Sequence, residues 1–132
     1  MIYLTREELL SLNQRVILLF GGRYAPETQN ILNVGAFNYL LEFVEAQEIF
    51  GQSVHPSIFH VASEYCFHII NDHIFEDGCK RTAILSGLIF LQNNGIKINT
   101  TNDQIKSLAL KIEDKTINKD AIIIWLQEHA EV

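Results

Sequence analysis

The run over residues 80–94 constrains the fold most. It opens with Lys80 and Arg81 and then becomes apolar on nearly every side through Ala83, Ile84, Leu85, Leu88, Ile89, Phe90 and Leu91. A helix that is apolar all round has no face to offer solvent, so it belongs at the centre of a fold with other helices around it. Asn93-Asn94-Gly95 closes the run, with Gly95 as the expected left-handed residue after the helix end. Ser86 and Gly87 interrupt the apolar stretch, which is too short to span a bilayer.

The flanking segments carry the helical period that such a centre requires. Thr5 and Glu8 form a capping-box pattern, followed by Leu9, Leu12, Val16 and Leu19 at helical spacing. Gly21-Gly22 ends that helix, and residues 23–30, with Pro26, read as a loop. A second helix is expected over residues 31–50, carrying Leu32, Phe37, Leu40, Leu41, Val44 and Ile49, with Gly35 near its start. Residues 51–56 form another break. From Ser57, one stripe runs through Ile58, Val61/Ala62, Tyr65/Cys66 and Ile69/Ile70, and a non-periodic stretch follows over residues 72–78. Thr101 and Gln104 repeat the capping-box pattern before Ile105, Leu108 and Ile112. A last helix from about Asn118 is expected to bury Ile122, Trp125 and Leu126. Strand-like pieces at residues 2–4 and 96–98 are too short to build a sheet. The expectation is all-α: a compact single-domain bundle of about six helices spanning residues 1–132, with a buried central helix following the loop.

Composition narrows the function classes. At 132 residues, 48% of them hydrophobic, the chain can bury a core without disulfides. Its net charge of −6 argues against a general binder of nucleic acid or membrane surfaces, while leaving room for a local basic site. Cys66 and Cys79 lack metal-ligand or redox spacing and fit a reducing compartment. The first residues have no basic start, apolar middle and small-residue cleavage site, so a cytoplasmic location is expected.

Chemistry concentrates in His73-Ile74-Phe75-Glu76-Asp77-Gly78-Cys79-Lys80-Arg81-Thr82-Ala83. Lys80 and Arg81 fall in the first turn of the central helix, where cations oppose the macrodipole at a few tenths to about one kcal/mol each. An anion bound at that helix start would take up the free N–H groups and neutralise both cations. Gly78 removes a side chain that would keep a phosphate from the backbone. Asp77 beside such an anion makes sense as a Mg²⁺ ligand. His73, just before the site, has the unperturbed pKa suited to proton abstraction near neutrality. The residues thus point to a magnesium–nucleotide site with a histidine base. Taken singly, each also has an ordinary reading: Asp77 as a helix cap, Lys80 and Arg81 as solvated charges, His73 as a loop histidine bonded to backbone.

This segment resembles the motif of the Fic/Doc superfamily, His-x-Phe-x-(Asp/Glu)-(Gly/Ala)-Asn-(Gly/Lys)-Arg, and its Lys80 is similar to the Doc, or death-on-curing, branch. The opening Leu4-Thr5-x-Glu7-Glu8-Leu9, Phe20-Gly21-Gly22, the apolar helix before His73 and Leu88-x-Phe90-Leu91-x-x-Asn94-Gly95 extend the resemblance; residues 23–56 match poorly. The resemblance implies a catalytic-base role for His73, Mg²⁺ held by Asp77, and Phe75 anchoring the loop. Gly78, Cys79, Lys80 and Arg81 fall at the positions that bind nucleotide, with Arg81 gripping a phosphate. Fic proteins transfer AMP from ATP to a hydroxyl. Doc-like proteins, with lysine where Lys80 stands, hold ATP in the reverse sense and act as kinases on a threonine of elongation factor Tu, blocking translation. The resemblance also implies a separate antitoxin whose C-terminal segment folds on binding. The Ser/Thr-x-x-x-Glu-(Gly/Asn) pattern of an inhibitory helix is not found in the sequence.

Cys79 departs from the motif, which has asparagine there. A thiol is a weak donor, and losing a charge-assisted bond costs roughly 1.5–3 kcal/mol. Two readings follow: an enzyme that leans on the backbone N–H of Cys79, or a catalytically decayed fold that binds a partner. A thiol at a helix start beside two cations is also expected to have a lowered pKa and to be oxidisable. His60, Glu64 and His68 share a spacing that suits a transition metal or a merely solvated polar face. Cys66 and Trp125 read as core, and His55 and His129 as surface residues.

Overall fold

A computed structural model of the chain describes residues 1–131. Six α-helices account for most of it: α1 (Arg6–Phe20), α2 (Val34–Phe43), α3 (Ile58–Asn71), α4 (Cys79–Asn93), α5 (Asn102–Glu113) and α6 (Lys119–His129). A 3-10 turn (Pro26–Thr28) precedes α2. Two short strands, β1 (Glu48–Ile49) and β2 (Gln52–Ser53), pair antiparallel after it. The architecture is all-α, as the helical periodicity predicts.

The central element is α4, which packs against α1, α3 and α5. It buries Ala83, Ile84, Phe90 and Leu91 together with Thr82, Ser86 and Gly87. The small residues are there for proximity: a Cβ added at Gly87 would lie 2.5 Å from Cys66 Sγ and 3.2 Å from the Ala62 carbonyl oxygen of α3. The two helices therefore approach backbone to backbone. Around this contact sit the fully buried rings of Tyr65, Phe90, Phe37 and Phe75, each worth about 1.5–3 kcal/mol of burial. The Leu4 N–H donates to the Tyr65 hydroxyl at 3.2 Å, which fixes the chain entering α1.

Local capping signals translate directly into helix starts. Thr5 and Thr101 each close a full capping box, with Glu8 and Gln104, and Asn118 caps α6 through the Ala121 N–H.

Several expectations are corrected. The second helix does not cover residues 31–50. Asn33 caps it by accepting from the Ala36 N–H, because the backbone N–H groups of Leu32 and Asn33 are already committed to the Ile74 carbonyl. It ends at Phe43, and residues 48–53 turn back as a hairpin through Phe50 and Gly51, both at positive φ (52° and 78°). On α1, the buried face is Leu9, Asn13, Val16 and Ile17, whereas Leu19 is 73% exposed. Trp125 is only half-buried and stacks on His129 with 3.9 Å between ring centroids. His55 and His129 are not free surface residues: each is partly buried and bonds a backbone carbonyl, of Phe43 and Trp125 respectively. Residues 96–98 take part in an isolated bridge, Ile98 to Ala130. No helix among the described residues is long and apolar enough to cross a membrane.

Candidate active site

The loop between α3 and α4 is tied to the body at nearly every residue. Its first residue, Asp72, caps α3; His73 follows in left-handed backbone (φ 46°), its N–H donating to the Ile70 carbonyl. Ile74 is fully buried and its carbonyl accepts from Leu32 and Asn33. Phe75 is buried against Phe37 (5.7 Å between ring centroids), and its backbone bridges to Ile31. The Glu76 N–H donates to the Asn30 carbonyl at 2.8 Å. The alternation of buried Ile74 and Phe75 with exposed His73 and Asp77 turns the polar groups outward on a pinned backbone.

Asp77 and Gly78 then set the start of α4. The Asp77 carbonyl accepts from Asn13 Nδ2 (3.0 Å) and Asn30 Nδ2 (3.4 Å). Asn13 Nδ2 also reaches Thr82 Oγ1 (3.1 Å), and its Oδ1 accepts from Asn30 Nδ2 (2.9 Å). Asn13, Asn30 and Thr82 are all fully buried, so this network holds the loop from beneath. Gly78 is the N-cap in left-handed backbone (φ 76°). A Cβ there would lie 2.9 Å from Ile17 Cδ1 and 3.1 Å from Asn13 Nδ2, so both conformation and space demand glycine.

The seven motif residues His73, Phe75, Asp77, Gly78, Cys79, Lys80 and Arg81 line one cleft of about 290 Å³, joined by Phe20, Gly21 and Glu113. The start of α4 carries no side-chain cap, so its first N–H groups face this cleft without an intrahelical partner. Arg81 lies 3.8 Å over the Phe20 ring and pairs with no carboxylate among the described residues. Lys80 is 3.5 Å from Glu113, an exposed pair that contributes little and is easily exchanged for another anion. Each Asp77 carboxylate oxygen takes a single N–H at 2.8 Å, Oδ1 from Gly78 and Oδ2 from Arg23. The group is thus aimed while keeping outward lone pairs, a donor set that fits one hard cation shared with phosphate oxygens. The arrangement is equipped to bind an anion, hold a divalent ion against it and accept a proton at His73.

Two electrostatic expectations change. The Cys79 thiol is not activated. Burial pushes its pKa up despite a bond to the Phe75 carbonyl (3.2 Å), and Asp77 and Glu113 add to the rise. Its side chain turns toward the loop while its N–H stays at the helix end. His60, Glu64 and His68 form neither a metal site nor a solvated face. His60 bonds Ser57, Glu64 is buried, and no cluster suited to a metal occurs among the described residues. Cys66 is core, as expected, and burial pushes its thiol up to about 12.

Asn13, Asn30 and Glu113 escape a reading of the sequence, which also marks Phe20 only within the resemblance and not as the ring beneath Arg81. For Asn13 a signal exists: it falls four residues after Leu9, on the face that α1 buries, where a polar side chain needs partners.

The sequence model of the Fic/DOC family matches residues 3–91. The chain is also similar to the protein kinase doc of Escherichia phage P1, at 29% identity over 96 residues, covering 73% of this chain and 71% of that protein.

Proposed function

The chain belongs to the Fic/DOC family, within its Doc branch, and from that premise we propose that it is a Doc-like toxin kinase. It transfers the γ-phosphate of ATP to a threonine hydroxyl of a target protein, elongation factor Tu, and so blocks translation. The observation that carries this reading is Lys80. It stands in the first turn of α4 and lines the same cleft as His73, Asp77 and Arg81, so two adjacent cations meet the phosphates there. AMP transfer, the alternative within the family, calls for a small residue at that position.

In this reading Arg81, Lys80 and the N–H groups of the helix start bind and orient the triphosphate. Asp77 holds Mg²⁺, which when bound neutralises phosphate charge and favours an in-line arrangement. His73 takes the proton from the threonine hydroxyl as its oxygen bonds to the γ-phosphorus; the bond to the β,γ-bridging oxygen breaks and ADP leaves. The buried network under Asp77 keeps these groups fixed, which matters because phosphoryl transfer depends on positioning more than on covalent help. Cys79 is compatible with the role, since its N–H remains at the helix end while its thiol bonds Phe75. The inhibiting partner is an antitoxin whose C-terminal segment folds on binding.

The test is the intact mass of elongation factor Tu after incubation with the protein and Mg-ATP, with His73→Ala as control. A gain of one phosphoryl group that requires His73 is expected. A gain of one adenylyl group would replace the kinase with an AMP transferase. No gain, despite measurable Mg-ATP binding, would refute this target.

A further inference from the structure

His68 sits between two carboxylates on the last turns of α3. Its Nδ1 is 2.8 Å from Asp72 Oδ2, and its Nε2 is 2.8 Å from Glu64 Oε2. The second contact is poorly aligned for a hydrogen bond and acts as an ion pair. A carboxylate oxygen stands 2.8 Å from each ring nitrogen, and a positive ring between two negative groups is favoured over a neutral one. The imidazolium is therefore the form these two contacts select. Phe67, Tyr39 and Phe43 pack around the ring with planes near perpendicular to it and centroids 5.2, 6.1 and 6.2 Å away, which holds the imidazole in place between the two carboxylates.

The charged groups around this ring are few. Glu64 and Asp72 come from α3 itself, and Lys119 comes from α6, reaching Glu64 at 3.3 Å and lying over Phe67. From α2 the Tyr39 phenol meets the ring, while Glu42 on the same helix is exposed and makes no ion pair with it; His55 lies beyond Phe43 and bonds its carbonyl. Burial works against the imidazolium, but the bonds and charges of Glu64 and Asp72 outweigh it and raise the His68 pKa. Burial likewise works against the Glu64 carboxylate, and His68 with Lys119 reverses that and lowers its pKa.

Asp72 is the residue this cluster grips, and it immediately precedes His73, whose left-handed φ of 46° must be held by its neighbours. The Asp72 carbonyl accepts from Asn33 Nδ2 (3.2 Å), and its Oδ1 accepts from Asn71 Nδ2 (3.0 Å). We propose that His68 is a positioning residue: as an imidazolium clamped between Glu64 and Asp72, it fixes the end of α3 and thereby presents His73 to the cleft. The consequence for transfer rests on the kinase reading above; the charge state of His68 and its hold on His73 do not. A group with a raised pKa keeps its charge below that value and loses it as pH rises through it, so the clamp opens on the alkaline side.

The experiment is a pH titration of the histidine ring nitrogens by NMR in the wild-type protein, with His73→Ala to assign His73 and two test variants, His68→Gln and Glu64→Gln. Expected in the wild type are two protonated nitrogens on His68 at neutral pH, a titration above the ordinary histidine range, and a shift of the His73 ring signals in step with it. Glu64→Gln, which keeps the shape and removes one charge, should move the His68 titration to lower pH. His68→Gln should displace the backbone amide signals of residues 72–75. In the transfer assay, kcat should fall along an alkaline limb that follows the His68 titration, with KM for ATP unchanged, and that limb should move to lower pH in Glu64→Gln. A His68 ring neutral at pH 7, or His73 signals indifferent to its titration, would overturn the proposal even if the protein proved to be no kinase. If the clamp is present and transfer is absent, it is the kinase reading that fails.

Discussion

Asn13→Ala is the perturbation that most directly tests how the cleft is held. The wild-type side chain is fully buried and makes three hydrogen bonds: to the Asp77 carbonyl at 3.0 Å, to Thr82 Oγ1 at 3.1 Å and from Asn30 Nδ2 at 2.9 Å. At about 0.5–1.5 kcal/mol of net stability per bond, their loss costs roughly 1.5–4.5 kcal/mol. The upper part of that range applies if the vacated space stays dry. The Asp77 carbonyl then retains only the 3.4 Å contact from Asn30, and buried acceptors without donors are expensive. A water entering the space would bring the cost to the lower end. Urea denaturation followed by far-UV circular dichroism measures this, with the midpoint falling while the slope stays constant. Asn13→Asp sharpens the test. It keeps the shape and the acceptor for Asn30, yet sets a carboxylate oxygen against the Asp77 carbonyl, and should destabilise as well. The network reading is refuted if both variants lose less than about 0.5 kcal/mol, the lower bound for a single bond.

At Gly87→Ala the added carbon meets Cys66 Sγ at 2.5 Å and the Ala62 carbonyl at 3.2 Å, so overpacking should cost about 2–3 kcal/mol and, less about 1 kcal/mol of helix propensity, leave a net loss of about 1–2 kcal/mol. An unchanged or raised urea midpoint would mean that α3 and α4 can separate freely. Iodoacetamide at neutral pH should label Cys79 slowly and Cys66 only on unfolding, because burial keeps both thiols protonated. Rapid labelling of Cys79, read by intact mass, would restore the activated thiol that its helix-start position alone implies.

What could be read from the sequence follows from the distance over which each feature is encoded. The capping boxes of α1 and α5 lie within four residues, so Thr5 with Glu8 and Thr101 with Gln104 announce helix starts without any knowledge of the fold. The motif residues likewise fall within nine positions, and one loop entering one buried helix brings all seven to the same cleft. The second helix fails as an expectation for the opposite reason. Its start is decided by Ile74, which takes up the N–H groups of Leu32 and Asn33, more than forty residues away in the chain. It ends at Phe43, and the hairpin that takes up residues 48–53 turns at Phe50-Gly51, which lacks the usual Asn-Gly signature. Asn13 reaches the Asp77 carbonyl across 64 residues, and Lys80 reaches Glu113 across 33. Such pairings exist only once α1 and α5 have packed on α4. Cys79 shows how tertiary burial overrides local electrostatics: the helix start and the adjacent cations favour a thiolate, but the side chain rotates toward Phe75 and leaves water. The residues that do chemistry are therefore written locally, while those that hold them in place are written in the packing. A variant that spares the motif but disturbs Asn13 or His68 tests the fold's contribution to the site more directly than one that removes a motif side chain.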